Sequence, residues 1–353
     1  MYTDGMPSLK SARRGGWKTV QNKNKLKRKT KLALAVLGLI LLVIFVGNLV
    51  KFTQPLFAKS YIWDGEFNLN LVVKKNASVS VISYNPKEKR IILLKIPETV
   101  VVKVPREFGE WQLRSVYDLG ETNKKGEGID LLKQTMVTFL GIPIDGFLDV
   151  GDVNEVFDAD STLEFLREKL IFSLTSFSSI KTDLTLWELI RLKMGIASTR
   201  FDKVEKLDLT KVLDKGNLAD GTQVFLADPV KLDSMLIGFA DPAIKAEHKT
   251  IAIFNATDRL ALAQKASRII TNMGGNVIIT SNAPQKQDRS LILGEKSLTL
   301  KRINQVFNLT CKSKSQECDK IEQEGENILS SRAQINVILG MDFLEITSRE
   351  KGS

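Results

Sequence analysis

The chain has 353 residues, 43% hydrophobic and 26% charged, which excludes a collagen-like or wholly disordered polymer and leaves room for two ordinary domains. Its formal charge of +10 would suit nucleic acid, but residues 1–31 hold ten Lys and Arg against one acid, Asp4. Subtracting that +9 from the +10 leaves +1 for the rest, so the basicity belongs to a tail and no nucleic-acid partner is expected.

The tail (1–31) leads into LALAVLGLILLVIFVGNLV, residues 32–50, which carry no charge and one polar side chain, Asn48. About 20 apolar residues cross a hydrocarbon core, so one transmembrane helix is expected here. The stretch is too long for the apolar core of a secretory signal, and FTQPLFAKS after it has no A-x-A cleavage pattern. Basic flanks stay in the cytoplasm, which predicts a single-pass cell-membrane protein with an inside tail and extracytoplasmic domains.

Residues 51–65 read as a stalk. FNLNLVV and VSVIS then alternate as strands, with an Asn-Pro turn in SYNPKEKR. RIILLKI is apolar on both faces, as a strand covered on both sides should be. Pro97-Glu98-Thr99 breaks it from TVVVKV. A helix is predicted over 130–140, stopped by Gly141, and GFLDV is a short strand. Ser161 with Glu164 and Thr185 with Glu188 form capping boxes that open two further helices. KVEKLDL and TQVFLA close a domain over 66–240. Strands mixed with covering helices make it α/β.

DPAIKAEHK, 241–249, reads as a polar linker, followed by a small β-α-β-β-α-β domain over 250–345 and a tail, 346–353. Its strands are TIAIFNA, NVIIT, SLIL and INVILG, its helices are 259–273 and 297–307, and the order suggests a split βαβ unit. Cys311 and Cys318 are the only cysteines; pairing across CKSKSQEC and two free thiols both remain open.

Chemistry is sparse. His248 is the single histidine and lies in the linker, so a Ser-His-Asp or Cys-His arrangement has no base, and no zinc spacing or phosphate loop occurs. The carboxylates Asp145, Asp149, Asp152, Asp158 and Asp160 cluster in sequence, but their spacing matches no calcium loop and suits helix caps better. No metal or cofactor is expected from the residues themselves.

SVSVISYNPKEKRIILLKIP resembles the strand-turn-strand opening of the LytR-CpsA-Psr family, D-T-I-M-L-V-S-I-N-P…I-P-R-D-T. QLRSVYDLGE is similar to that family's K-L-N-A-A-Y-A-Y-G-G, LLKQTMVTFLGIPIDGFLDV to its helix, Gly-Ile-Pro-Ile-Asp and strand, and SIKTDLTLWELIRL to a later helix. IAIFNATDRLALAQKASRIITNMGGNVI and VILGMDF resemble the LytR C-terminal domain, and the order of these segments covers most of 66–343. The resemblance implies an LCP-like mixed sheet covered by helices, then the βαββαβ domain. It also implies a cell-envelope protein whose relatives move a glycopolymer from polyprenyl pyrophosphate to peptidoglycan with Mg2+, Arg forks and an acid.

The departures fall on the residues that would do this. The family's Asp falls on Ala77, its Arg-Asp after Ile-Pro on Glu98 and Thr99, and its base before Leu-Asn on Gln112; its later Arg-rich stretch has no counterpart. Glu98 would repel a pyrophosphate. One reading is therefore a non-catalytic envelope protein, a pseudoenzyme that binds wall glycopolymer, a lipid-linked polyprenyl precursor or a partner enzyme. The other is a divergent Mg2+-dependent transferase with relocated bases Arg106, Arg114 and Lys95 and acids Asp145 or Asp149. It requires those side chains to converge. A membrane-bound transcription regulator ranks last, because the tail shows no helix-turn-helix.

Overall fold

The structure is a computed structural model that describes residues 38, 62–151, 181–218, 220–307, 309 and 331–343. The expected transmembrane segment, the Ser161–Glu164 capping box, Asp152, Asp158, Asp160, Cys311 and Cys318 lie outside the described residues, Gly38 excepted. Among the described residues, no helix is long and apolar enough to cross a membrane.

The described residues from 62 onward belong to one compact unit. It opens with β1 (Leu69–Lys75), β2 (Ser78–Asn85) and β3 (Arg90–Lys95). The hairpin β4 (Val101–Val104) and β5 (Gly109–Gln112) leads to α1 (Leu113–Asn123) and α2 (Gly128–Leu140). Next come β6 (Gly146–Asp149), β7 (Lys181–Thr182), α3 (Leu186–Ala197) and β8 (Val204–Asp208). A second hairpin, β9 (Leu213–Asn217) and β10 (Gln223–Ala227), precedes α4 (Pro229–Met235). The six-stranded sheet runs β7-β6-β1-β2-β3-β8.

RIILLK is covered on both faces, as its composition predicts. Ile92 and Leu94 enter a core with α1, α2 and α4, while Ile91 and Leu93 enter a second core with α3 and Trp63. α2 ends where expected, with Gly141 in the left-handed region at φ 65°. The Thr185–Glu188 capping box at α3 is complete. α1 carries the segment QLRSVYDLGE, for which periodicity alone suggested no element.

Two boundaries differ from expectation. The last residues of the predicted stalk are part of the fold, with Trp63 2% exposed and its indole N–H donating to the Phe67 carbonyl. The predicted linker holds α5 (Pro242–Glu247), capped by Asp241 and seated through buried Ile244. Pro at the first helical turn beside an Asp cap is a helix-start signal, and it outweighs the polar composition of the segment.

The last third contains β11 (Thr250–Asn255), α6 (Leu262–Asn272), β12 (Asn276–Asn282), β13 (Leu291–Gly294), α7 (Leu298–Phe307) and β14 (Ile335–Leu339). The β-α-β-β-α-β order is as expected, but the unit is not split. The sheet runs β12-β11-β14-β13, with β11 parallel to both β12 and β14 and no strand inserted between β11 and β12. β11 and β14 are the strands buried on both faces and take the centre, whereas half-polar NVIITSN takes an edge.

This unit is bolted to the main sheet. Phe67, just before β1, is 1% exposed and lies in the core of the C-terminal unit. Arg268 of α6 holds Asp233 of α4 through two nitrogens and donates to the carbonyls of Thr138, Phe139 and Leu140 at the end of α2. A guanidinium fork thus satisfies carbonyls that α2 itself leaves without partners.

Candidate functional site

β1 is parallel to β6, β3 is parallel to β8, and β2 runs antiparallel between β1 and β3. The carboxyl ends of β1, β3, β6 and β8 therefore share one edge of the sheet. In open α/β sheets ligands bind beyond such an edge. Lys74 and Lys75, Lys95, Asp149 and Asp208 stand there.

Pro97-Glu98-Thr99 lies at this rim as a pinned turn. Val100 N–H donates to Pro97 C=O at 3.1 Å, Arg114 N–H to Glu98 C=O at 3.1 Å and Phe225 N–H to Thr99 C=O at 3.3 Å. The Ser78 hydroxyl, at the start of β2, donates to the Glu98 carboxylate. The break in RIILLKIPETVVVKVP is thus a turn locked on three sides that carries an acid.

Beside it stands a cluster that the sequence marked only through Asp149. Lys74 Nζ lies 3.8 Å from Asp149 and 4.5 Å from the centre of the Tyr117 ring, which stacks on Phe147 at 6.0 Å. Burial, with the charges of Glu121, Asp149 and Asp118, pushes the Tyr117 phenol above its ordinary range, so it stays a neutral hydroxyl. Lys74 was detectable in sequence, because in LNLVVKK it shares the register of core-facing Val72.

The other residues singled out in sequence are dispersed. Asp145 precedes β6, whose far end carries Asp149, about 13 Å away along an extended strand. Asp145 is 2.9 Å from Arg302 of α7 and accepts from Asn70 N–H at 2.9 Å, so its charge is already used in holding the two lobes together. Arg106 sits in the β4–β5 turn at φ 62° and pairs with Glu127 at 3.0 Å. Arg114 is exposed on the first turn of α1, and Lys95 is exposed at the end of β3. Lys95, Arg114 and Asp149 thus share the rim region, while Asp145 does not.

Glu188 is half of the capping box that opens α3, and it does more. Fully buried, it accepts from Thr185 N–H and from the N–H groups of Ile62 and Trp63 at 2.6 and 2.5 Å. It fixes the incoming chain to α3. Among the described residues, no group of three or more His, Cys, Asp or Glu side chains stands together to hold a metal ion.

No family model and no curated protein matches the sequence. Solved structures do match. The crystal structure of B. subtilis TagT is 18% identical, covering 50% of this chain and 90% of that one, with a TM-score of 0.36. The LytR-CPS2A-psr family protein YwtF (TagT) with bound octaprenyl pyrophosphate lipid is 18% identical, covering 49% and 89%, with a TM-score of 0.36. B. subtilis TagV is 15% identical, covering 48% and 93%, with a TM-score of 0.35.

Proposed function

We propose that this chain is a membrane-anchored, extracytoplasmic envelope protein of LytR-CpsA-Psr type that binds its glycan partner without transferring it. The partner is a wall glycopolymer held at the carboxyl rim of the sheet, a polyprenyl-linked precursor held through its glycan and not its pyrophosphate, or an enzyme that handles either. The observation that carries this reading is the Ser78–Glu98 hydrogen bond. It builds an anion into the turn where the family pattern has an arginine, and an anion there opposes pyrophosphate.

Two further facts support it. Asp145 and Arg106, both invoked for a relocated transferase site, are spent on Arg302 and Glu127. Between the sheet and α1 and α2, Val72, Val81, Leu94, Val116, Leu132, Met136 and Phe147 are buried together in one hydrophobic core. A core packed in this way suits a scaffold.

The transferase reading keeps Lys95, Arg114 and Asp149 as its remaining groups. The full chain in vesicles, given lipid-pyrophosphate-linked glycan, Mg2+ and peptidoglycan, separates the two. Binding of the glycan without release of polyprenyl phosphate is the expected result. Turnover that Asp149→Asn or Arg114→Ala abolishes would overturn it.

A further inference from the structure

α3 buries Leu189, Leu192 and Ile196 against the sheet. Its opposite stripe should be polar in a helix that meets only water. Instead Trp187 is 62% exposed and Met194 is 69% exposed, with half-buried Ile190 between them. Arg191 lies in the same stripe, and Lys193, Arg200 and exposed Phe201 follow around or beyond the helix. Of the acids on and just after the helix, Glu188 is buried and holds Ile62 and Trp63, and Asp202 is paired with Arg200 at 3.0 Å. The face therefore combines a large aromatic, a thioether and basic groups.

Where the chain enters the fold decides what covers this face. Ile62 and Trp63 donate their N–H groups to Glu188, one residue from Trp187. Arg191 lies 5.8 Å from the Trp63 ring and donates to the Asp64 carbonyl. Only residues 51–61 separate Ile62 from the end of the expected transmembrane segment at Val50. Fully extended, that tether reaches at most about 40 Å.

We propose that the Trp187–Met194 face of α3 is a membrane-surface contact, seated in the lipid headgroup region. Tryptophan partitions to that region, with its ring among the upper acyl chains and its N–H hydrated, and neighbouring Arg and Lys attract anionic headgroups. The tether fastens to the first turn of the same helix, which keeps this face within reach of the bilayer. The inference rests on the membrane-anchor reading above, and its test separates the two.

The full chain is reconstituted in vesicles of phosphatidylcholine with phosphatidylglycerol, some carrying lipids brominated near the headgroup, and then washed with alkaline carbonate. Retention after the wash reports the anchor. The expected result is retention, a blue-shifted Trp187 emission and quenching by the brominated lipid, both identified by their loss in Trp187→Phe. Met194→Glu, at an exposed position, should lower the Trp187 quenching while the chain stays in the vesicles. Retention with no difference between wild type and Trp187→Phe overturns the docking and leaves the anchor standing. Shielding of Trp187 from aqueous quencher without quenching by lipid assigns the face to another protein and also overturns it. Loss of the chain in the wash removes the anchor, and the docking with it.

Discussion

Asp145 and Arg302 form an ion pair at 2.9 Å with side chains only 8% and 4% exposed, joining the start of β6 to α7 across the junction of the two lobes. Arg302 also donates to the Asn68 carbonyl at 3.2 Å and stacks its guanidinium 5.5 Å from the centre of the Phe67 ring. The C-terminal unit is therefore a structural clamp on the main sheet.

Removing one member of a buried pair leaves the other charge unpartnered. Arg302→Ala should cost about 3–5 kcal/mol, read as a lower unfolding midpoint. Asp145→Asn with Arg302→Met removes both charges and keeps an acceptor for Asn70 N–H, so the double variant should be more stable than Arg302→Ala alone. A midpoint for Arg302→Ala equal to wild type would show that the pair does not hold the lobes.

Gly141 and Arg268 form a second coupled pair. Gly141 sits at φ 65°, and a Cβ there would lie 2.6 Å from Arg268 Nε. Gly141→Ala should destabilise by more than about 1 kcal/mol, because it adds this clash to left-handed strain. In an Arg268→Ala background the clash is gone and only the strain remains, so the Gly141→Ala penalty should shrink. Additive penalties would contradict the contact.

Glu188 should prove more costly to lose than its capping partner. Thr185→Ala removes one cap acceptor and should cost about 1 kcal/mol. Glu188→Ala leaves the N–H groups of Ile62, Trp63 and Thr185 without their acceptor, at about 1–3 kcal/mol for each that stays dry. Denaturation midpoints of the two variants give the comparison, and equal losses would mean that the incoming chain is not held by Glu188.

Much of this fold was legible in the sequence because local and global signals agree. RIILLK, the Gly141 stop and the Thr185–Glu188 box each report a local rule that packing leaves intact. The failures are places where long-range contacts decide. α5 looks like a polar linker until Ile244 is seen buried and Glu247 is seen capping α7 through Leu298 and Thr299. Asp145 looks like a catalytic acid because Arg302, its partner, is 157 residues away. Lys74 and Tyr117 meet only through the register of β1 on β6 and the packing of α1, which no short motif encodes.

Acid should loosen the α5–α7 contact. Burial raises the Glu247 pKa, but the hydroxyl and N–H of Thr299, the Leu298 N–H and nearby Lys249 outweigh it, so the net shift is downward. A carboxyl with a lowered folded pKa adds stability above its unfolded pKa, and that contribution is lost as pH falls through the folded value. Asp64, lowered by Lys301 and its neighbours against the effect of burial, acts in the same direction. The unfolding midpoint should therefore fall on acidification below the ordinary Glu range. Thr299→Val removes one of the bonds that lower Glu247, so its acid loss should begin at higher pH. An unchanged acid profile in that variant would show that the contact does not titrate as described.

The decisive test of the rim is to reverse its charge. Glu98 accepts from the Ser78 hydroxyl in a turn held by Val100, Arg114 and Phe225, so the backbone there does not depend on the side chain. Glu98→Arg should leave the fold intact and place a pyrophosphate-binding cation where the acid stands. Binding of a short-chain polyprenyl pyrophosphate should tighten on the order of tenfold, about 1.4 kcal/mol, with Glu98→Gln in between as repulsion alone is removed. Transfer to peptidoglycan should remain absent in both, because the acids at the rim are already engaged: Asp149 by Lys74 and Asp208 by the N–H and hydroxyl of Thr210. Titration of the lipid by tryptophan fluorescence gives the affinities, and polyprenyl phosphate release gives the turnover. If Glu98→Arg leaves affinity unchanged, the rim is not where pyrophosphate is excluded, and if it transfers glycan, the scaffold had kept a catalytic centre that one reversed charge was masking.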